Sequence, residues 1–237
     1  MMEENLFKML NNKFWMIKPQ FSNADIKAVF SLRSFKTDGE IGRKAFAKKV
    51  GFNSQSLIVP SQTHSTNVNF VSTAKLIKSC DGIFTNEKNI VCSIQVADCM
   101  PIFVAHLSKN VFGLVHAGWR GLANGILEKS ARLIIENGYR LSDFEIIIGP
   151  SIQKCCFEVR DDIVQRFKSE FVIQTDENGK YKVDLQKYAL SELMDSGFEK
   201  SKIKFISECT YCLKEKYHSY RRDGKNSGRM IGLIGSS

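Results

Sequence analysis

The chain has 237 residues, 43% of them hydrophobic and 25% charged, with 4 prolines and neither an internal repeat nor a low-complexity tract. This composition fits a single domain around one sizeable core and excludes a disordered chain. The formal net charge of +9 reads as a lysine-rich solvated surface, since the lysines are scattered and no RNA- or DNA-binding motif accompanies them; nucleic acid is not an expected partner.

The opening MMEENLFKML places two glutamates where a secretory signal carries positive charge, and no apolar h-region follows. The longest apolar runs, such as 143–149, are too short to span a bilayer. The expectation is a cytoplasmic protein with no membrane partner. Residues 90–97 (IVCSIQVA) are apolar and β-branched and predict a buried strand. Two more strands are predicted at 102–106 and 111–115, joined by the turn-like Ser108-Lys109-Asn110. Residues 121–137 show helical spacing at Ile126, Leu127, Leu133 and Ile134, with Gly138 as a C-terminal cap. A strand over 144–148 stops at Gly149-Pro150. Amphipathic helices are predicted over 159–171 and 184–196, a turn at Gly179, a short strand at 180–183 and a late strand at 203–206. The pattern is mixed α and β.

Three short stretches carry metal-grade ligands beside residues that shape a tight backbone. These are His64 in QTHS (62–65), Cys99 in ADCMP (97–101) and His116 in HAGWRG (116–121). Two imidazoles and a thiolate make three zinc ligands; a closed structural site has four, while a catalytic one keeps a position for water or substrate. Taken singly, each has an ordinary reading: a loop histidine at the surface, a core thiol beside a strand, a histidine closing a strand. Cys99 and His116 nevertheless fall at strand ends, where chemistry often sits, and Gly118 permits a backbone that other residues resist. His106 lies mid-run in IFVAHL and reads as a satisfied core or edge histidine. His218 in YHSYRR reads as a pocket-lining candidate.

The segment 217–229 packs Arg221, Arg222, Lys225 and Arg229 among Ser219, Tyr220 and two glycines. Guanidinium forks and glycine-exposed N–H groups suit a phosphate or carboxylate, and Tyr217 and Tyr220 offer faces for a base or sugar. A basic surface loop is the plain alternative. Arg120 adds a guanidinium beside Trp119. Of the 7 cysteines, Cys155-Cys156 and Cys209-x-x-Cys212 could frame a second zinc site. Neighbouring side chains in an extended chain diverge, however, so buried reduced thiols are the expected reading. The odd count and the lack of a signal argue against a disulfide framework.

The ordered series QTHS, ADCMP, HAGWRG, IGPSIQKCCFEV, ECTYC and YHSYRRDGKNSGR resembles the YfiH/YlmD family, formerly labelled multicopper polyphenol oxidases or laccase-domain proteins. The match runs from about residue 58 to 230. One departure is Tyr217-His218-Ser219-Tyr220, where relatives tend to carry two aromatics before the serine. The resemblance implies an α+β fold, a four-layer α/β/β/α sandwich with mixed sheets, similar to that of certain cysteine-dependent glutamine deamidases. It implies zinc at His64, Cys99 and His116. It implies a purine nucleoside phosphorylase acting with phosphate on adenosine, inosine and methylthioadenosine, with adenosine deaminase activity, and some relatives are linked to peptidoglycan editing.

For phosphorolysis, Arg222, Arg229 and Arg120, in that order of preference, are the candidates to hold the phosphate in line with C1′. For deamination, zinc-lowered water pKa suits attack at C6. The oxidase label fails on composition, because 4 histidines cannot supply the imidazoles of several copper centres, although a single copper ion at the zinc ligands fits their chemistry. Two rival expectations are a cysteine hydrolase or amidase in which His116 activates Cys99, and a non-enzymatic binding module built on the basic 220–229 loop. The oligomeric state is left open by the sequence.

Overall fold

A computed structural model describes residues 16–35, 39–74, 76–174 and 180–236. Among them, two six-stranded sheets are stacked. The first runs in the order β1 (Met16–Ile17), β2 (Ile26–Ser31), β15 (Met230–Ser236), β7 (Val91–Val96), β3 (Leu57–Pro60) and β5 (Leu76–Ile77). The second runs β14 (Ile203–Phe205), β10 (Phe144–Ile148), β8 (Met100–His106), β9 (Phe112–Ala117), β6 (Gly82–Thr85) and β4 (Val68–Phe70). Both are mixed. In the first, β15 pairs antiparallel with β2 and β7, and β3 joins β7 in parallel. In the second, β8 pairs antiparallel with β9 and β10, while β14 and β4 add parallel edges. A small third sheet holds β11 (Glu158–Val159), β13 (Tyr181–Val183) and β12 (Val172–Gln174).

Central strands are apolar on both faces because both faces are covered. In β8, Met100, Ile102 and Val104 face one core, while Phe103 and Ala105 face the layer between the sheets. Cys92, Ile94 and Val96 of β7 meet them there, and Val91 points the other way. Helix α1 (Gly39–Lys49) covers the first sheet by packing Phe46 and Ala47 on Val29 and Leu233. Helices α3 (Ile126–Glu136) and α5 (Leu185–Asp195) cover the second with Ile126, Ile134, Leu185 and Leu193. The result is the four-layer α/β/β/α sandwich that the resemblance implies. Full burial of one such side chain contributes about 1.5–3 kcal/mol.

Several elements differ from expectation. The helix predicted over 121–137 is two helices, α2 (Trp119–Ala123) and α3, because the chain turns at Asn124-Gly125 with Gly125 at φ +86°. The region 159–171 is not one amphipathic helix. It holds only a turn of helix, α4 (Asp161–Val164), and a 3-10 turn at Ser169–Phe171. Its helix-like spacing arises because Ile163, Val164, Phe167 and Phe171 all reach the same core from an irregular path. The strand predicted at 111–115 runs on to Ala117, which puts His116 inside it. The turn expected at Gly179 lies outside the described residues.

The strand directions decide where a site can form. β7 ends at Val96 in one sheet and β8 begins at Met100 in the other. Ala97, Asp98 and Cys99 therefore cross between layers at one end of the sandwich, next to the end of β9.

Candidate metal centre and its cavity

His64 sits in the loop that follows β3, at φ +58°. A buried aspartate shapes that loop. Asp81, just before β6, accepts from the Ser65 N–H and hydroxyl at 2.7 Å each, from the Thr63 N–H at 3.2 Å and from the His64 N–H at 3.1 Å. The same carboxylate accepts from His116 Nδ1 at 2.8 Å. One buried group thus fixes the His64 loop and sets the His116 tautomer, leaving Nε2 as the ring nitrogen open to a metal. Burial works against its charge, but the His116 and Ser65 hydrogen bonds outweigh it and hold Asp81 down at about 2.

The ligand atoms of His64, Cys99 and His116 lie within 4.8 Å of one another. Cys99 Sγ is 3.7 Å from His64 Nε2, and the two imidazole centroids are 4.8 Å apart at 71°. Tetrahedral zinc with these ligands separates donor atoms by about 3.3–3.6 Å, so small side-chain shifts complete the fit. The backbone leaves room for it at Gly118. A Cβ there would stand 2.7 Å from His64 Cδ2 and 3.0 Å from Cys99 Sγ. Donor set, carboxylate-held histidine and glycine clearance all suit a single metal ion with an open position.

The same three groups are electrostatically coupled. Desolvation pushes the Cys99 thiol up, but the imidazolium of His116 beside it and the His64 contact bring it down to about 6. Desolvation likewise opposes charge on His116, and the Cys99 thiolate and Asp81 raise it to about 9. Thiolate is the form a metal needs.

A cavity of about 780 Å³ opens over these ligands. Its walls include Trp119, Phe157 and Tyr220, and four arginines reach it: Arg43, Arg120, Arg221 and Arg229. This volume suits a small organic ligand.

The family pattern described as multi-copper polyphenol oxidoreductase laccase matches residues 36–237. The chain belongs to the YfiH/YlmD family. It is 30% identical over 209 residues to purine nucleoside phosphorylase YlmD of Bacillus subtilis (strain 168), covering 81% of this chain and 75% of that one. It is 34% identical over 208 residues to a purine nucleoside phosphorylase of Haemophilus influenzae, covering 84% and 82%. A protein named adenosine deaminase RL5, from an unknown prokaryotic organism, is 28% identical over 205 residues, 80% of this chain and 78% of that one. The crystal structure of Bacillus licheniformis hypothetical protein YfiH superposes with a TM-score of 0.89 at 23% identity, covering 98% of this chain and 100% of that one. That likeness speaks to the fold.

Within this YfiH/YlmD framework the expected residues separate. His64, Cys99 and His116 meet. Arg120 and Arg229 border the cavity, Arg120 over the Trp119 ring at 4.5 Å and Arg229 over Tyr220 at 5.8 Å. Arg222 differs from its expected phosphate role. Its guanidinium donates to the Thr210, Tyr211 and Tyr217 carbonyls at 2.9–3.0 Å and to both Asp223 oxygens. All five N–H donors are used, and the residue staples loops instead of facing the cavity. Tyr217 is fully buried and donates to Glu208, so it offers no face to a ligand. His218 packs against Gly228 and does not line the cavity. His106 is buried, with Nδ1 accepting from the Ser108 and Lys109 N–H groups.

Sequence reasoning missed Asp81, Arg43 and the role of Asp98. Asp98 stands at φ +82° and accepts from the Thr210 hydroxyl (2.6 Å), the Ser219 hydroxyl (3.0 Å) and the Arg221 N–H (2.7 Å). It ties the 219–221 turn to the backbone next to Cys99. Arg43 is buried on α1 and donates to Ser93 and Gln62. No local signal announces any of these, because each partner lies far along the chain.

Proposed function

We propose that the chain is a zinc-dependent purine nucleoside phosphorylase that cleaves adenosine, inosine and methylthioadenosine with phosphate, and that the same cavity deaminates adenosine. The observation that carries this reading is the convergence of His64, Cys99 and His116 beneath an arginine-rimmed cavity. The relatives named purine nucleoside phosphorylase and adenosine deaminase support the substrate class.

In phosphorolysis a phosphate oxygen bonds to C1′ as the C1′–N9 bond breaks, and the purine leaves with the electron pair and takes up a proton. Arg120 and Arg229 hold the dianion, and the gain comes from alignment and charge neutralisation. The rings of Trp119 and Tyr220 offer faces for the base. In deamination water adds at C6 and ammonia leaves. A metal held by the three ligands supplies Lewis-acid activation and lowers the pKa of water toward neutrality. Asp81 keeps His116 in the ligating tautomer.

The test is a panel of adenosine, inosine and methylthioadenosine, run with and without phosphate on protein of measured metal content. Ribose 1-phosphate or its methylthio analogue should form only with phosphate, and Cys99→Ala should lose turnover together with the metal held at this centre. No sugar phosphate from any substrate would overturn the assignment. Unchanged phosphorolysis in Cys99→Ala would overturn the shared site.

A second reading, a cysteine hydrolase or amidase, is favoured by the placement of Cys99 Sγ within 4.8 Å of the ring nitrogens of His64 and His116, which draw the thiol below its ordinary range. It requires a substrate-derived acyl group on Cys99, which mass spectrometry of a quenched reaction would detect.

A further inference from the structure

We infer that Cys155, Cys156, Cys209 and Cys212 form a second metal site, a closed tetrathiolate zinc centre that braces one wall of the cavity. The four sulfurs lie within 4.8 Å of one another. Cys155 and Cys212 are 3.8 Å apart, and Cys156 and Cys212 are 3.3 Å apart. Zinc–sulfur bonds of about 2.3 Å at tetrahedral angles place sulfurs about 3.8 Å apart, so the cluster already has the dimensions of the ion it would hold.

The expectation of buried, diverging thiols fails for a local reason. Residues 154–156 form a turn instead of an extended strand, and a turn lets neighbouring side chains converge. Nor are the thiols hidden: Cys155 and Cys212 are exposed, Cys156 is half-buried, and only Cys209 is buried. Two exposed members give an ion a path in.

The backbone is arranged for the same purpose. Ser151 and Cys209 form a parallel bridge, and the Thr210 N–H donates to the Ser151 carbonyl at 3.1 Å. This sets the two cysteine pairs against each other without any metal. Soft thiolates in a tetrahedral set select zinc over hard cations. Binding releases the thiol protons and leaves a centre of net charge −2, within a chain of net charge +9.

The site shares no residue with the His64–Cys99–His116 centre, and its effect there is through structure. On one side, the 152–157 turn gives Ile152 and Phe157 to the cavity wall, and Arg221 stacks on Phe157 at 5.4 Å. On the other, Thr210 donates to Asp98 beside Cys99. A metal joining the two segments locks the wall to the strand end that bears the first centre. Cys155, Cys156, Cys209 and Cys212 are positioning residues for the cavity.

The experiment uses the unaltered chain, purified under reducing conditions. Iodoacetamide labelling with peptide mapping should show Cys155 and Cys212 protected, despite their exposure, and labelled after a zinc chelator is added. Immediate labelling without chelator would overturn the proposal. So would protection lifted by a reductant but not by a chelator, which marks a disulfide. In a Cys99→Ala background, which removes the first centre, about one zinc per chain should remain. The further change Cys212→Ser, at an exposed position, should lower that content at least tenfold. Cobalt substituted into Cys99→Ala should give an intense thiolate-to-cobalt absorption band that Cys212→Ser abolishes. Zinc retained in full by Cys99→Ala/Cys212→Ser would place the ion elsewhere and sink the inference.

Discussion

At the scale of single residues, the metal centre rests on what is absent from Gly118 as much as on its ligands. Its φ is ordinary at −73°, so the glycine serves close approach and not backbone strain. Gly118→Ala should weaken zinc binding about tenfold or more while costing about 1–3 kcal/mol of stability, checked by chelator competition beside denaturant unfolding. Asp81→Asn should also lower metal affinity by about 10–100-fold, since His116 loses its carboxylate. The arginines divide in a way that one pair of variants can read. Arg120 is exposed and stacks on the Trp119 ring at the cavity rim. Arg120→Ala should raise the KM for phosphate with Tm unchanged. Arg222→Ala strips three carbonyls of their partners and should cost about 2–4 kcal/mol, seen as a lower unfolding midpoint. Here the sequence misled for a plain reason. A guanidinium aimed at phosphate and one stapling loops are identical as letters, and only the geometry of 210–211 and 217 separates them.

At the scale of elements, legibility followed burial. The strands at 91–96 and 144–148 were readable because a short, continuous apolar run closed off by turn residues matches a strand covered on both faces. The helix 185–195 was readable from its amphipathic spacing, and the structure adds an Asp184 cap on the Lys187 N–H. The 159–171 region was not, because Phe167 and Phe171 mimic a helical stripe while sitting on turns. The ligand set shows the same limit. His64, Cys99 and His116 each looked ordinary alone, and Asp81, which joins two of them, carried no local sign at all. Asp98 is where elements are coupled: it receives Thr210 from one loop and Ser219 and Arg221 from the α6 (Tyr220–Asp223) turn. Asp98→Asn keeps the positive φ, which asparagine tolerates, yet turns an NH2 group toward one of these donors. It should cost about 2 kcal/mol and raise KM by a larger factor than it lowers kcat. Metal content, measured by atomic absorption, should stay unchanged.

At the scale of the whole molecule, the two sheets are held together by more than apolar surface. The segment entering β2 of the first sheet clasps one end of the strands of the second. Asn23 Nδ2 donates to the His106 and Lys109 carbonyls at 3.0 Å each. The Ser22 N–H and hydroxyl donate to Glu145 of β10 at 2.6 and 2.8 Å, and Lys204 of β14 stands 3.3 Å from the same carboxylate. Burial alone would raise the Glu145 pKa, but the Ser22 bonds and the Lys204 charge outweigh it and hold the carboxyl below its ordinary value. A carboxyl with a lowered folded pKa adds stability that is complete above its unfolded value, about 4.3. That stability is lost as the pH falls through the folded value, because the unfolded chain then binds the proton first. Glu145→Gln removes the charge and should cost about 1.5–3 kcal/mol near neutrality, a Tm decrease of roughly 3–12 °C for a chain of this size. The two proteins should converge only once the pH has fallen below the lowered folded value, since the wild-type carboxyl is then neutral as well. Thermal unfolding of both across pH 3–7 separates this from a simple packing defect, which would leave the gap between the two curves constant.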